Sequence, residues 1–140
     1  MSQFVTIHPD NPQMRLIHKV VAVIRDGGVC AIPTDSGYAF SCQLENKAGV
    51  DRIRHIRRLD EKHNFTLLCR DLSEISVYAR LENQAYRLLK AHTPGAYTFI
   101  LDATREVPRR LQHPKRKQIG IRIPENLISL RILEVLGKPL

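Results

Sequence analysis

A short apolar run at residues 29–32 stands between a segment of helical periodicity and a loop of turn-forming residues. Upstream, Asn11 and Pro12 supply an N-cap residue and a favoured first-turn proline, and apolar residues then recur at helical spacing until Gly27 and Gly28. The run itself is short and rich in β-formers, so it predicts a strand. A helix that leads into a strand and a polar loop favours a mixed α/β fold.

The loop at residues 33–38 reads PTDSGY. Thr34 and Ser36 place hydroxyls where the predicted strand ends, which is where open α/β sheets hold ligands, and Gly37 can adopt a positive φ. The same residue types also form ordinary surface turns. Two interpretations therefore remain at this point, a ligand-binding loop and a plain turn.

The rest of the chain mixes strands and helices without a strict βαβ repeat. The pattern predicts strands at residues 38–42, 65–69, 97–101 and 118–123, and helices at residues 47–58, 82–90 and 127–136, with a short helix opening at residues 71–73. The residues expected to face inward are Val50, Ile53 and Ile56 in one helix, and Ala85, Leu88 and Leu89 in another. No internal repeat or linker divides the chain, so we expect one domain over residues 1–140.

Composition fits a soluble globular protein, with 43% apolar and 26% charged residues. No apolar run approaches the roughly 20 residues of a membrane span, and no secretory signal pattern opens the chain. We therefore expect a cytoplasmic location and no membrane partner. Three cysteines in apolar stretches predict reduced, buried thiols, and six unpaired histidines predict no protein-built metal site.

The chain is basic, with 22 lysines and arginines against 14 acidic residues and a net charge of +8. This balance suits polyanionic partners such as nucleotide phosphates or RNA. The cations concentrate in residues 105–122, where the candidate RNA contacts are Arg109, Arg110, Lys115, Arg116 and Lys117. No aromatic residue interrupts them, which disfavours sequence-specific single-strand recognition, and a solvated basic loop is the alternative interpretation.

Three segments follow one another along the chain: PTDSGYA at 33–39, TPGAYT at 93–98 and GIRIP at 120–124. In this order they resemble motifs of the YrdC family, in which the first segment reads Pro-Thr-(Asp/Glu)-Thr-x-Tyr-Gly-Leu. HPDNP at 8–12 and HNFTLLCRDL at 63–72 look like the YciO branch of that family. The family continues past this point with a strand opening on a Ser-x-Ser-Ala-Asn type motif, so the resemblance implies a YrdC-like domain that lacks its C-terminal part.

The resemblance implies a twisted, mixed α/β sheet flanked by helices, with a basic concave face. It also implies an L-threonylcarbamoyladenylate synthase-like activity, which uses threonine, bicarbonate and ATP, with Mg²⁺ as helper ion, on the way to a modified tRNA adenosine. No catalytic residue is assigned, because no histidine lies at a spacing that would activate a loop hydroxyl. The alternative function is a non-catalytic domain that binds double-stranded RNA or tRNA.

The resemblance also implies site residues. Thr34 would bond the amino-acid part, and Arg57, at the position of the lysine in a Lys-x-Arg motif, would hold a carboxylate or phosphate; from spacing alone, Arg57 also fits a last-turn arginine that satisfies the helix dipole. The residues expected around the nucleotide are Ser36, Tyr38, Thr98 and Arg122. The motif's arginine is replaced by Leu59, which has no donor for an anion, and His63 and Asn64 also depart from the pattern. These replacements predict altered activity.

Overall fold

The computed structural model describes residues 3–58, 65–113 and 115–140. The elements follow in chain order: α1 (Met14–Arg25), β1 (Cys30–Thr34), β2 (Gly37–Ser41), α2 (Lys47–Arg57), β3 (Thr66–Leu68), α3 (Leu72–Tyr78), α4 (Asn83–His92), β4 (Phe99–Asp102), a 3₁₀ turn (Arg109–Leu111), β5 (Gln118–Arg122) and α5 (Leu127–Leu136). The mixed α/β class predicted from the sequence is confirmed.

The described strands form two sheets. β1 and β2 pair as an antiparallel hairpin, and β5 lies between β3 and β4 in the other sheet. β5 runs parallel to β3 and antiparallel to β4, so this sheet is mixed. Leu140 exchanges two backbone hydrogen bonds with Leu68, of 2.8 and 3.1 Å, and thereby pairs with the outer edge of β3.

The loop at residues 33–38 is the tip of the hairpin. β1 continues through Pro33 to Thr34, two residues past the predicted strand end, because Pro33 pairs with Tyr38 and Thr34 with Gly37. Asp35 and Ser36 are left as the two turn residues. Gly37 has a φ of 121°, a region that a glycine reaches without steric cost.

Side-chain caps mark the starts of α2 and α5, whereas α1 begins at Met14 after Gln13, so the predicted start at Asn11 and Pro12 is wrong and no side-chain cap bond begins that helix. The Oδ1 of Asn46 accepts a hydrogen bond from the Gly49 amide at the start of α2, at 3.0 Å. α5 begins after Asn126, whose Oδ1 accepts from the amides of Ile128 and Ser129, and ends at Gly137 in the left-handed region. The predicted bounds of α5 are therefore confirmed.

Two clusters of buried apolar side chains hold the elements together. One contains Ile119 and Ile121 of β5 with Leu67 of β3, and side chains of α2, α3 and α4 pack into it. The other joins α1 to α5 and includes Ile32 of β1 and Leu68 of β3. Successive strand residues point to opposite faces, which explains why Leu67 and Leu68 belong to different clusters.

Two residues expected in the core are exposed. Leu88 is 53% exposed while its neighbour Leu89 is 1% exposed, because adjacent helical residues lie about 100° apart and α4 turns only a narrow face inward. Ile56 is 44% exposed, since the buried part of α2 ends at Ile53.

The longest described helix, α1, has 12 residues and buries Ile17, Val21 and Ile24 along one face. None of the helices in the described ranges combines the length and apolarity needed to cross a membrane. The three cysteine thiols are free; Cys42 and Cys69 are buried as predicted, whereas Cys30 is only half-buried.

Candidate ligand-binding site

A cavity of about 240 Å³ lies where the hairpin, α2 and the three-stranded sheet meet. Its walls are largely apolar, with contributions from Phe40, Leu44, Phe65, Leu111 and Leu140. Its polar lining residues are Thr34, Ser41, Gln43, Arg57, Thr66, Thr98 and Arg122. An apolar pocket with a few convergent polar groups is the usual form of a small-molecule site.

Strand alternation brings several of the polar groups together. Ile121 of β5 and Phe99 of β4 pack in the core. Because successive residues of a strand face opposite sides of the sheet, Arg122 and Thr98, their neighbours in the chain, face away from that core. Thr66 of β3 pairs with Gly120, two residues before Arg122. Thr66, Thr98 and Arg122 therefore share the sheet face that borders the cavity.

Arg122 ties the hairpin turn to the sheet. Its Nη2 donates to the Asp35 carboxylate, its Nη1 donates to Ser36 Oγ at 2.8 Å, and its Nε donates to the Gly95 carbonyl at 3.3 Å. The Arg122 and Asp35 side chains are only 11% and 15% exposed. The positive charge of Arg122 is thus largely compensated by Asp35. The main role of the guanidinium is to hold the hairpin turn over the cavity.

Thr34 stabilises the same turn. Its hydroxyl donates to the Gly37 carbonyl at 2.7 Å and accepts from the Ser36 amide at 3.3 Å. The single hydroxyl proton is therefore used within the hairpin. The Ser36 hydroxyl lies 3.3 Å from the same oxygen and can donate to it, so a ligand donor would compete with Ser36 for the remaining lone pair.

Arg57 places a positive charge at the cavity. It lies in the last turn of α2, is exposed and lines the cavity. No carboxylate of the described residues forms an ion pair with it. Whereas Arg122 is neutralised by Asp35, Arg57 can meet an anionic group of a ligand.

The structure unites most, but not all, of the predicted site. Thr34, Arg57, Thr98 and Arg122 line one cavity, and Ser36 reaches it through its hydrogen bond to Arg122. Tyr38 is 80% exposed and is not part of the lining. Leu59, His63 and Asn64 lie outside the described residues.

Two residues of the site were not singled out from the sequence. Asp35 was visible in the loop motif but had no assigned partner, since Arg122 lies 87 positions away. Thr66 is a lone polar residue beside the buried Leu67, Leu68 and Cys69, and that polarity within an apolar strand is the signal that could have identified it.

The thiol of Cys42, which also lines the cavity, is not an activated nucleophile. Burial raises its pKa to about 11, and the opposing effect of the Arg110 charge is smaller. Because the thiolate is the nucleophilic form, this cysteine remains a protonated, weakly polar wall residue near neutral pH.

The basic loop, described at residues 105–113 and 115–117, contacts the cavity wall through Arg110 and Leu111. The buried Leu111 lines the cavity, while Arg110 donates to the Leu44 carbonyl at 3.0 Å and its own carbonyl accepts from Arg54. His113 Nδ1 accepts from the amides of Lys115 and Arg116. The side chains of Arg109, Arg110, Lys115, Arg116 and Lys117 are exposed.

A family model described as telomere recombination, that of the Sua5/YciO/YrdC domain, matches residues 22–140. The chain belongs to this family. The resemblance found in the motifs is therefore confirmed.

Relatives divide into two groups. An uncharacterized protein of Haemophilus influenzae is 59% identical over 140 residues, and the uncharacterized protein YciO of Escherichia coli K12 is 58% identical; each match covers 100% of this chain and 68% of the relative. A threonylcarbamoyl-AMP synthase of Chromobacterium violaceum is 29% identical over 133 residues, covering 94% of this chain and 68% of that protein.

Two solved structures share the fold of this chain. The crystal structure of E. coli YciO superposes with a TM-score of 0.96 at 58% identity and covers 99% of this chain and 68% of its own. P. abyssi Sua5, in complex with L-threonine, superposes with a TM-score of 0.85 at 22% identity and covers 92% and 38%. The Sua5 likeness establishes the shared fold.

Proposed function

We propose that this chain carries the small-molecule site of a nucleotide-binding protein related to threonylcarbamoyl-AMP synthases, with L-threonine and ATP as ligands. One observation carries the proposal: Thr34, Arg57, Thr98 and Arg122, chosen from family motifs, line a single cavity. The synthase of C. violaceum and the threonine-bound Sua5 of the same fold support the choice of ligands.

In this proposal, different polar side chains of the cavity bind different groups of the ligand. Arg57 neutralises a carboxylate or phosphate at the cavity, and the Thr34 oxygen accepts from the ammonium of the amino acid. Arg122, held by Asp35, fixes the turn that carries Thr34. Positioning of this kind is the main contribution a protein makes to phosphoryl or nucleotidyl transfer.

In this proposal, the magnesium ion enters the site bound to the phosphates of ATP. The described residues contain no group of three His, Cys, Asp or Glu side chains that could hold a metal. Mg²⁺ usually keeps several waters and binds through substrate phosphates with few protein ligands, so this site is compatible with an ion that arrives on ATP.

Calorimetric titration of the chain with L-threonine, and then with ATP and magnesium, tests the proposal. Arg57→Gln removes the charge and is expected to weaken binding by about ten- to a hundredfold, since a charge-assisted hydrogen bond contributes about 1.5–3 kcal/mol. Arg52→Gln is the matched control, because Arg52 lies on the same helix, is exposed and does not line the cavity. Equal affinities in the two variants would contradict the assignment of Arg57.

Pyrophosphate release separates binding from catalysis. Leu59→Arg restores the arginine of the Lys-x-Arg motif and is expected to raise threonine-dependent pyrophosphate release if the enzyme activity is inherited. Binding without release in both proteins would restrict the function to ligand binding.

A second candidate function is binding of double-stranded RNA or tRNA through the basic loop. It is favoured by the exposed cations at 109, 110 and 115–117 and by the +8 charge of the chain. The double variant K115Q/R116Q is expected to weaken duplex RNA binding and to reduce its salt dependence. The control R15Q/K19Q removes two exposed charges from α1 instead, and an equal loss in both pairs would indicate a net-charge effect without a defined surface.

A further inference from the structure

Two threonine side chains converge on the space above Gly120. A β-carbon at position 120 would lie 2.9 Å from Thr66 Oγ1 and 3.3 Å from Thr98 Cγ2. Gly120 therefore leaves room for a hydroxyl from β3 on one side and a methyl from the start of β4 on the other. The two groups form the floor of the cavity on this face of the sheet.

The Thr66 hydroxyl is open to a ligand. It borders the cavity, and no hydrogen-bond partner for it exists among residues 3–58, 65–113 and 115–140. Thr66 is exposed, whereas Leu67 and Leu68 after it in β3 are buried, so solvent or a ligand can reach the threonine side chain. A hydroxyl can both donate and accept, and it therefore matches a neutral polar group.

The charges around the cavity orient a ligand relative to this floor. Arg122, beside Thr66 and Thr98, is neutralised by Asp35, whereas Arg57 is exposed and unpaired with any described carboxylate. An anionic group is stabilised near Arg57. With the anionic group near Arg57, the uncharged end of the same molecule contacts the floor, where the Thr66 hydroxyl and the Thr98 methyl lie on either side of Gly120.

We propose that Thr66 determines specificity by hydrogen bonding to the side-chain hydroxyl of a short β-hydroxy amino acid, while the Thr98 methyl packs beside it. The inference rests on the proposed binding of L-threonine in this cavity. It assigns a residue to the discrimination between a β-hydroxy amino acid and its alkyl isostere. A site built around a hydroxyl disfavours the isostere because a polar group is then left without a partner.

The test is the affinity of the chain for L-threonine and for L-valine, which has a methyl in place of the hydroxyl. The unmodified chain is expected to prefer L-threonine by about tenfold. Thr66→Val keeps the β-branched shape and is expected to abolish the preference by weakening L-threonine alone, whereas Thr66→Ser keeps the hydroxyl and should retain it. Thr6→Val makes the same change at an exposed position outside the cavity and should leave the preference intact.

Two different results would overturn the inference. If Thr66→Val, shown to be folded by circular dichroism, still prefers L-threonine about tenfold, Thr66 has no part in specificity while the proposed function stands. If the unmodified chain binds neither amino acid, the proposed function fails, and the role of Thr66 fails with it.

Discussion

At the scale of single residues, the guanidinium of Arg122 joins segments that are far apart in the chain. It binds Asp35 and Ser36 of the hairpin turn and the carbonyl of Gly95. Because the Arg122 and Asp35 side chains are nearly buried, each charge depends on the other for compensation. This pair therefore determines where the turn sits relative to the cavity.

Asp35→Asn should destabilise the protein by about 2 kcal/mol, since it leaves the Arg122 charge largely buried without its counter-charge. The free energy of unfolding in urea measures the effect. Arg131→Gln breaks a surface ion pair with Glu134, whose side chains are 38% and 50% exposed, and should cost less than about 1 kcal/mol. Equal losses would show that burial does not strengthen the Asp35 pair.

The buried carboxyl group of Glu74 should make the free energy of unfolding depend on pH. Its side chain is buried, and desolvation raises its pKa despite the opposing hydrogen bond from the Arg70 amide and the Arg70 charge. The folded chain therefore retains this proton at a pH where the unfolded chain has lost it, so the contribution of Glu74 to stability falls as pH rises above the ordinary glutamate value.

Glu74→Gln removes that titration while keeping an oxygen that can accept from the Arg70 amide. The free energy of unfolding of the variant, minus that of the unmodified chain, should become more positive between about pH 4 and about pH 7. Urea denaturation at several pH values measures this difference. A difference that stays constant or becomes more negative would contradict the raised pKa.

At the scale of elements, each helix depends on how its first amides are satisfied. Asp71 caps α3 by accepting from the Glu74 amide at 2.8 Å, whereas Glu82 precedes α4 without a side-chain cap hydrogen bond. α3 has only seven residues, so one capping bond is a large part of its local stabilisation.

Asp71→Ala should therefore lower the free energy of unfolding by about 1 kcal/mol. Glu82→Ala is the matched control and should change it little, because no cap is lost. Hydrogen exchange of the amides at positions 72–75 localises the effect, and unchanged protection there would show that the cap does not stabilise α3.

At the scale of the whole molecule, the three-stranded sheet separates the two core clusters. Leu133 of α5 lies fully buried in the cluster that joins α1 to α5, whereas Leu88 of α4 is exposed. The same leucine-to-alanine change should therefore have very different effects at the two positions.

Leu133→Ala should cost about 3 kcal/mol through lost burial and the cavity it leaves. Leu88→Ala should stay within about 0.5 kcal/mol of the unmodified chain. Thermal and urea unfolding measure both variants. A large loss at Leu88 would indicate that α4 packs more deeply than its exposure shows.

The sequence by itself determined the features that depend on neighbours a few residues apart. Asn126 and Gly137 delimit α5, Asp71 begins α3, and helical periodicity identifies α1, because caps and periodicity act within one or two turns. The ordered motifs also pointed to the family, and with it to the mixed α/β fold.

Only the tertiary structure decided which of these local features meet. Asp35 and Arg122 pair across 87 positions, and Thr66 faces the cavity through the register of β3 with β5. Periodicity likewise could not choose between Leu88 and Leu89, since the packing of α4 against the rest of the chain selects the buried face. Such pairings are set by strand register and helix packing, and these depend on contacts between segments that no local pattern of residues records.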